Sequence, residues 1–136
     1  MNRIVQKFNY LKSKNEKAFI PFVTGGDPDL DTTLELVLTL EKAGADIIEI
    51  GVPYSDPMAD GPVIQASSTR SLAHGTKMKS IMDTVCQIRE KTQIPLVYLL
   101  YYNSIFKYGD VAFFKKCKEV GIDRSEEQRL NSSHRL

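Results

Sequence analysis

Three compact apolar runs, residues 18–24, 45–52 and 94–101, are separated by segments whose apolar side chains return every three or four positions. This alternation of strand and helix patterns constrains the fold more than any other feature. Strands separated by helices pair in parallel through crossover connections, which makes an α/β fold. The first run closes on Gly25-Gly26-Asp27-Pro28, ordinary turn chemistry, and Pro21 argues against a central place for that strand. Leu30, Leu34, Val37 and Leu38 mark the helix that follows, with Gly44 placed to end it in the left-handed conformation. Met78, Ile81, Met82 and Val85 mark a second helix after a long loop that contains residues 56–62. Asp110 reads as the N-cap of a third, with Val111, Phe114 and Cys117 on its apolar face, Gly121 at its stop and Ile122-Asp123 opening a fourth strand. Ahead of all this, Ile4, Phe8 and Leu11 predict a short helix over residues 2–13 that serves as a lid or cap.

A hydrophobic content of 42% in 136 residues is enough for one cored domain. At that length a doubly wound sheet of flavodoxin type can be complete, whereas a (β/α)8 barrel needs roughly 250 residues, so pattern alone leans to the former. Lys and Arg number 18 against 17 Asp and Glu, and a formal charge of +1 supplies no broad field for nucleic acid or an anionic membrane. Residues 1–7 meet a polar side chain too soon for a signal-peptide core, and no apolar run approaches the roughly 20 residues of a membrane span. A cytoplasmic location is expected. Cys86 and Cys117 lie far apart, outside any CxxC or Cys/His grouping, and are expected to be buried reduced thiols. His74 has no metal-ligating companion and reads as a surface or capping residue; Gly25 and Gly26 lack Walker or GxGxxG spacing and read as turn glycines.

The second strand carries the chemistry. Period-two alternation puts Ile48, Ile50 and Val52 on one face and Ile47, Glu49 and Gly51 on the other, leaving Glu49 the lone charge of an apolar strand. Parallel strands are covered on both faces, so such a carboxylate is expected to be desolvated or paired, and either state suits a general acid or base. A structural ion pair or an edge position is the alternative on spacing alone. The loop that follows, GVPYSDPMADGP over residues 51–62, lies at the carboxyl end of the strand, where α/β folds place their sites. It brings Asp56 and Asp60, one of which can face Glu49 across a pocket, since two carboxylates in different surroundings can hold different protonation states.

The run from Ile47 that contains EIGVPYSDPMADGP, with FIPFVTGGDP over residues 19–28, PVIQASSTRSLAHG over 62–75 and YLLYYNSIF over 98–106, resembles the tryptophan synthase alpha subunit family, in the same order and over residues 1–123. The resemblance implies a (β/α)8 TIM barrel of which only the first three to four β/α units are present. It implies retro-aldol cleavage of indole-3-glycerol phosphate to indole and glyceraldehyde 3-phosphate in tryptophan biosynthesis, with no metal and no organic cofactor. Carried over position by position, Glu49 is the acid/base at the indole ring and the glycerol hydroxyl. Asp60 is the carboxylate that accepts the ring N–H and stabilises the cation formed on C3 protonation. Phe22, Leu99 and Tyr101 are candidates for the apolar slot that takes the flat substrate, with ordinary barrel core as the alternative. Pro53, Asp56 and Asn103 are candidates for the interface with the beta subunit, which receives indole through a tunnel in an alpha2-beta2 complex.

Residues 125–136 depart from the family pattern and carry no strand signal where a fourth strand should continue. The expected division is therefore a barrel portion over 1–124 and a tail over 125–136 from a cloning or sequencing boundary. Barrel phosphates are usually held by loops after the seventh and eighth strands, and an open sheet edge invites association, so the 136 residues alone are expected to be inactive and aggregation-prone. Rival readings are a Mg²⁺ site on Glu49, Asp56 and Asp60, a flavodoxin-like binding module, and a non-catalytic barrel remnant that only occupies the beta subunit.

Overall fold

The computed structural model describes residues 2–56 and 59–128, the last two through their backbone alone. The chain runs α1 (Arg3–Ser13), β1 (Phe22–Thr24), α2 (Leu30–Lys42), β2 (Ile48–Gly51), α3 (Pro62–Ala73), α4 (Met78–Arg89), β3 (Leu96–Tyr101), α5 (Tyr102–Tyr108), α6 (Asp110–Val120) and β4 (Arg124–Gln128). The four strands are all parallel and lie in the order β1-β2-β3-β4. A flavodoxin-type sheet would insert β1 between β2 and β3, so this sequential order decides for the opening portion of a barrel. β1 pairs with β2 in the described sheet, and the carbonyl of Pro21 just ahead of it accepts the Glu49 N–H at 3.0 Å.

One face of the sheet is closed by helices. Ile48, Ile50, Leu96 and Tyr98 pack there against Val37 of α2, Ile81, Met82, Val85 and Ile88 of α4, and Phe113, Cys117 and Val120 of α6. These twelve side chains, the large aliphatic and aromatic ones contributing about 1.5–3 kcal/mol each when fully buried, account for most of the cohesion of this layer. The Tyr98 hydroxyl is buried in it with no hydrogen-bond partner among the described residues, while its ring lies 6.2 Å from that of Phe113. Desolvation drives that hydroxyl's pKa strongly upward.

The helix over α6 is where the expectation of an apolar face has to be rotated. Phe113, Cys117 and Val120 are buried, whereas Val111 is 85% and Phe114 51% exposed. Gly109, not Asp110, occupies the N-cap, and the Asp110 carboxylate accepts a hydrogen bond from the Tyr102 hydroxyl instead. Phe8 on α1 is exposed while Leu11 is buried, and Cys86 is exposed although Cys117 is not, so only one thiol is sheltered. Gly121, in the left-handed region at φ 93°, ends α6 as expected.

α1 closes the N-terminal end of the strands, opposite the end where the loops carry Asp60. Arg3 donates to the Asp123 carboxylate at 3.0 Å and to Gln93 at 2.9 Å and 3.0 Å. Arg89 reaches the same carboxylate at 2.9 Å, and the Leu96 N–H donates to it at 2.9 Å. Burial pulls the Arg89 guanidinium down to about 10, the like charge of Arg3 adds to that, and Asp123 and Glu41 oppose it. Asp123 thereby fixes the entry into β4, helped by its own N–H donating to Leu96 O at 2.9 Å.

β4 itself corrects the expectation that no strand continues beyond Arg124. Arg124 pairs with Val97, Ser125 with Tyr98, Glu126 with Leu99 and Gln128 with Tyr101. Pairing to an open strand edge uses backbone groups, which any residue but proline supplies, so a polar sequence can occupy the position. Arg124 and Glu126 fall on the face without helices, where they form an exposed ion pair at 2.6 Å. Residues 129–136 of the proposed tail, together with Pro57 and Met58, lie outside the described residues.

Candidate functional site

The register of the parallel strands assembles the site on the face that no helix covers. Phe22 of β1, Glu49 of β2 and Val97 of β3 stand in one row; Thr24, Gly51 and Leu99 stand in the next row toward the carboxyl ends. The absence of a side chain at Gly51 is what lets the Phe22 ring lie flat over the sheet. A β-carbon there would collide with Cζ of Phe22 and sit 2.7 Å from Cε2. Above this floor a depression is lined by Phe22, Asp60, Ile64, Leu99 and Tyr101 among others. Three of the residues expected to form an apolar slot and one of the two expected catalytic carboxylates are therefore brought together.

Glu49 sits one pleat deeper than that depression, on the same face, between Phe22 and Val97. It is half-buried and no described residue makes a hydrogen bond or ion pair with its carboxylate. Of the two states expected for it, a paired one is not seen among the described residues. An unpaired carboxylate flanked by an aromatic ring and a valine is free to exchange a proton with a ligand laid over it.

Asp60 is positioned by its loop. Tyr101 at the end of β3 accepts the Ala59 N–H at 2.8 Å through its hydroxyl, and its ring stacks on Tyr54 at 5.0 Å. Desolvation raises the Tyr101 pKa, the Ala59 N–H works against that, and the charge of Asp60 with a hydrogen bond to its carboxylate adds to the rise. The Asp60 carbonyl accepts from Gln65 Nε2 at 2.7 Å. Asp56, the other acid of the loop, is exposed and does not line the depression. Of the residues expected at a partner interface, Asp56 and Asn103 are exposed, whereas Pro53 is buried within the chain and presents no surface of its own.

The residues that sequence patterns do not single out are the hydroxyls of α3 and the turn after β1. Thr24 Oγ1 and Ser67 Oγ lie 2.7 Å apart, and Ser71 Oγ donates to the Gly25 carbonyl at 2.6 Å. Arg70 grips Asp27 with two hydrogen bonds, at 2.8 Å and 3.0 Å. Gly26, at φ 83°, leaves room for these side chains, since a β-carbon there would lie 2.5 Å from Ser71 Oγ. Pro62 at the first position of α3 and Gly75 after it are the available signals for this helix. His74 is its C-cap and is exposed. No group of three or more His, Cys, Asp or Glu able to hold a metal forms among the described residues. No described helix is long and apolar enough to cross a membrane.

Parallel strands in sequential order, with Asp60 and an apolar slot at the loop end and Glu49 one pleat below them, define the opening half of a β/α barrel. The family model described as tryptophan synthase alpha chain matches residues 8–124. The chain is 62% identical over 123 residues to the tryptophan synthase alpha chain of Caldanaerobacter subterraneus subsp. tengcongensis, covering 90% of this chain and 47% of that one. Against the alpha chain of Alkaliphilus metalliredigens the identity is 59%, with 90% and 46% covered. Among solved structures, tryptophan synthase subunit alpha from Legionella pneumophila superposes with a TM-score of 0.90 at 39% identity, covering 92% of this chain and 48% of that one. The chain belongs to the tryptophan synthase alpha chain family, and it spans about half the length of the curated relatives it matches.

Proposed function

We propose that these residues form the catalytic half of a barrel that cleaves indole-3-glycerol phosphate to indole and glyceraldehyde 3-phosphate. The observation that carries the proposal is the gathering of Phe22, Asp60, Leu99 and Tyr101 around one depression, with Glu49 directly beneath it on the same face. Cleavage of the carbon–carbon bond needs C3 of the indole protonated while a proton leaves the neighbouring glycerol hydroxyl, and Glu49 is the acid/base for both transfers. Protonation at C3 spreads positive charge onto the ring nitrogen. Asp60 accepts the N–H there and stabilises that charge, at a loop whose backbone Tyr101 already holds. The ring lies between Phe22 and Leu99, which exclude water from the reacting carbon.

Residues 1–124 constitute the barrel portion on this reading and 125–136 a segment outside the family pattern. The 136 residues alone release no indole, because barrel phosphates are held by loops after the seventh and eighth strands. The functional unit is cytoplasmic and assembles with the beta subunit, with Asp56 and Asn103 on the contact side and Pro53 shaping the loop beneath them. The test is a chain in which residues 1–124 are joined to the C-terminal part of the Caldanaerobacter relative. Indole release that falls about 10³-fold with Glu49→Gln supports the reading. Indole release indifferent to Glu49 and Asp60 overturns it.

A further inference from the structure

α3 begins two residues after Asp60, and the hydrogen bonds that tie it to β1 and the turn that follows run through the hydroxyls of Thr24, Ser67 and Ser71 and through the Arg70–Asp27 pair. Its buried residues are Ser67, Ser68 and Ser71. The direction of the proton chain among them can be assigned. Ser67 Oγ lies 2.8 Å from the Ile64 carbonyl, which can only accept, so the single Ser67 proton is committed there. Thr24 is then the donor across the 2.7 Å contact to Ser67. Two strand-side groups, the Thr24 hydroxyl and the Gly25 carbonyl, thus hold two successive turns of α3, and Asp27 holds Arg70 between them. The helix in turn holds the carbonyl of Asp60 through Gln65.

We infer that Thr24 and Ser67 are positioning residues for Asp60: their hydroxyl pair sets the lateral seat of α3 on β1, and through Gln65 the place of the Asp60 backbone over Phe22. Directional hydrogen bonds suit this task better than apolar packing, because interlocked hydroxyls tolerate little sliding whereas smooth small-residue contacts tolerate more. A displacement of about 1 Å at a reacting group is enough to cost a hundredfold in rate. The catalytic consequence rests on the proposed lyase reading; the mechanical link between β1 and the Asp60 loop does not.

The experiment compares Ser67→Ala, Thr24→Val and Thr24→Ser, the last of which keeps the hydroxyl. Hydrogen exchange of the 136-residue chain, followed by mass spectrometry, should quicken about tenfold over residues 59–67 in the first two variants, leave β3 unchanged, and return to normal in Thr24→Ser. In the chain extended with the Caldanaerobacter C-terminal part, kcat should fall about tenfold with KM within about twofold, again rescued by Thr24→Ser. Exchange that is unaltered over residues 59–67, or that rises equally throughout the sheet, overturns the inference, as does a fall in kcat that Thr24→Ser fails to rescue. If exchange changes as expected while even the unsubstituted extended chain makes no indole, the positioning link stands and the lyase reading fails.

Discussion

The two ends of the sheet are held by different polar chemistry. At the N-terminal end a buried carboxylate, Asp123, is shared by Arg3, Arg89 and a backbone N–H. At the C-terminal end three ties are neutral hydroxyls, Thr24 to Ser67, Ser71 to Gly25 and Tyr101 to Ala59, the one ion pair described there, Arg70 to Asp27, lies toward the surface, and the carboxylates Glu49 and Asp60 are left without a cationic partner among the described residues. A charge locked into ion pairs cannot also trade protons with a ligand, so the contrast fits the proposed lyase reading, in which the loop end carries the chemistry and the opposite end fastens the fold.

That contrast can be broken at either end. The largest effect is expected from Glu49→Gln, which lowers indole release in the extended chain by about 10³-fold while urea unfolding shifts by no more than about 0.5 kcal/mol, since no described residue bonds the carboxylate. Asp123→Ala should do the reverse. It leaves the Arg89 guanidinium buried without its main partner and lowers unfolding free energy by about 3–5 kcal/mol, read by urea denaturation. Midway between the ends, Tyr98→Phe removes a buried hydroxyl with no partner among the described residues, and thermal unfolding should show a gain of about 1 kcal/mol. The smallest effect belongs to Arg3→Ala. Its side chain is 32% exposed, and losing its pair with Asp123 also relieves the like charge on Arg89, so a loss of about 0.5 kcal/mol is expected in the same unfolding assay. A loss of several kcal/mol at Arg3, or none at Asp123, would erase the distinction between the ends.

Much of the site is legible in the sequence. Glu49 stands out as the lone charge of an apolar strand, and Phe22, Leu99 and Tyr101 because they are large apolar or aromatic side chains on the matching face of their strands. α3 is not legible in this way. Its buried side is made of serines, so it carries no apolar periodicity, and its hydroxyls acquire meaning only against Thr24 and the Gly25 carbonyl, more than 40 residues away in sequence. The buried face of α6 is ambiguous in the sequence because Phe113 and Phe114 are adjacent. Both complete a helical pattern with Cys117, and only packing against Tyr98 selects Phe113. Past the opening signal of Ile122-Asp123, β4 leaves none in its own residues, because its pairing resides in the backbone rather than in side-chain type.

What the sequence determined by itself is local: the alternation of strands and helices, the turn glycines Gly26 and Gly121 at positive φ, and the residue types able to move a proton at the carboxyl end of β2. These follow from short-range sterics and side-chain period, which neighbouring residues settle among themselves. The pairing of the strands edge to edge, the approach of Asp60 rather than Asp56 to Phe22, Leu99 and Tyr101, and the seat of α3 are the work of tertiary structure. Each depends on which surfaces meet across long separations in the chain, and burial and hydrogen-bond direction are properties of that meeting rather than of any one segment.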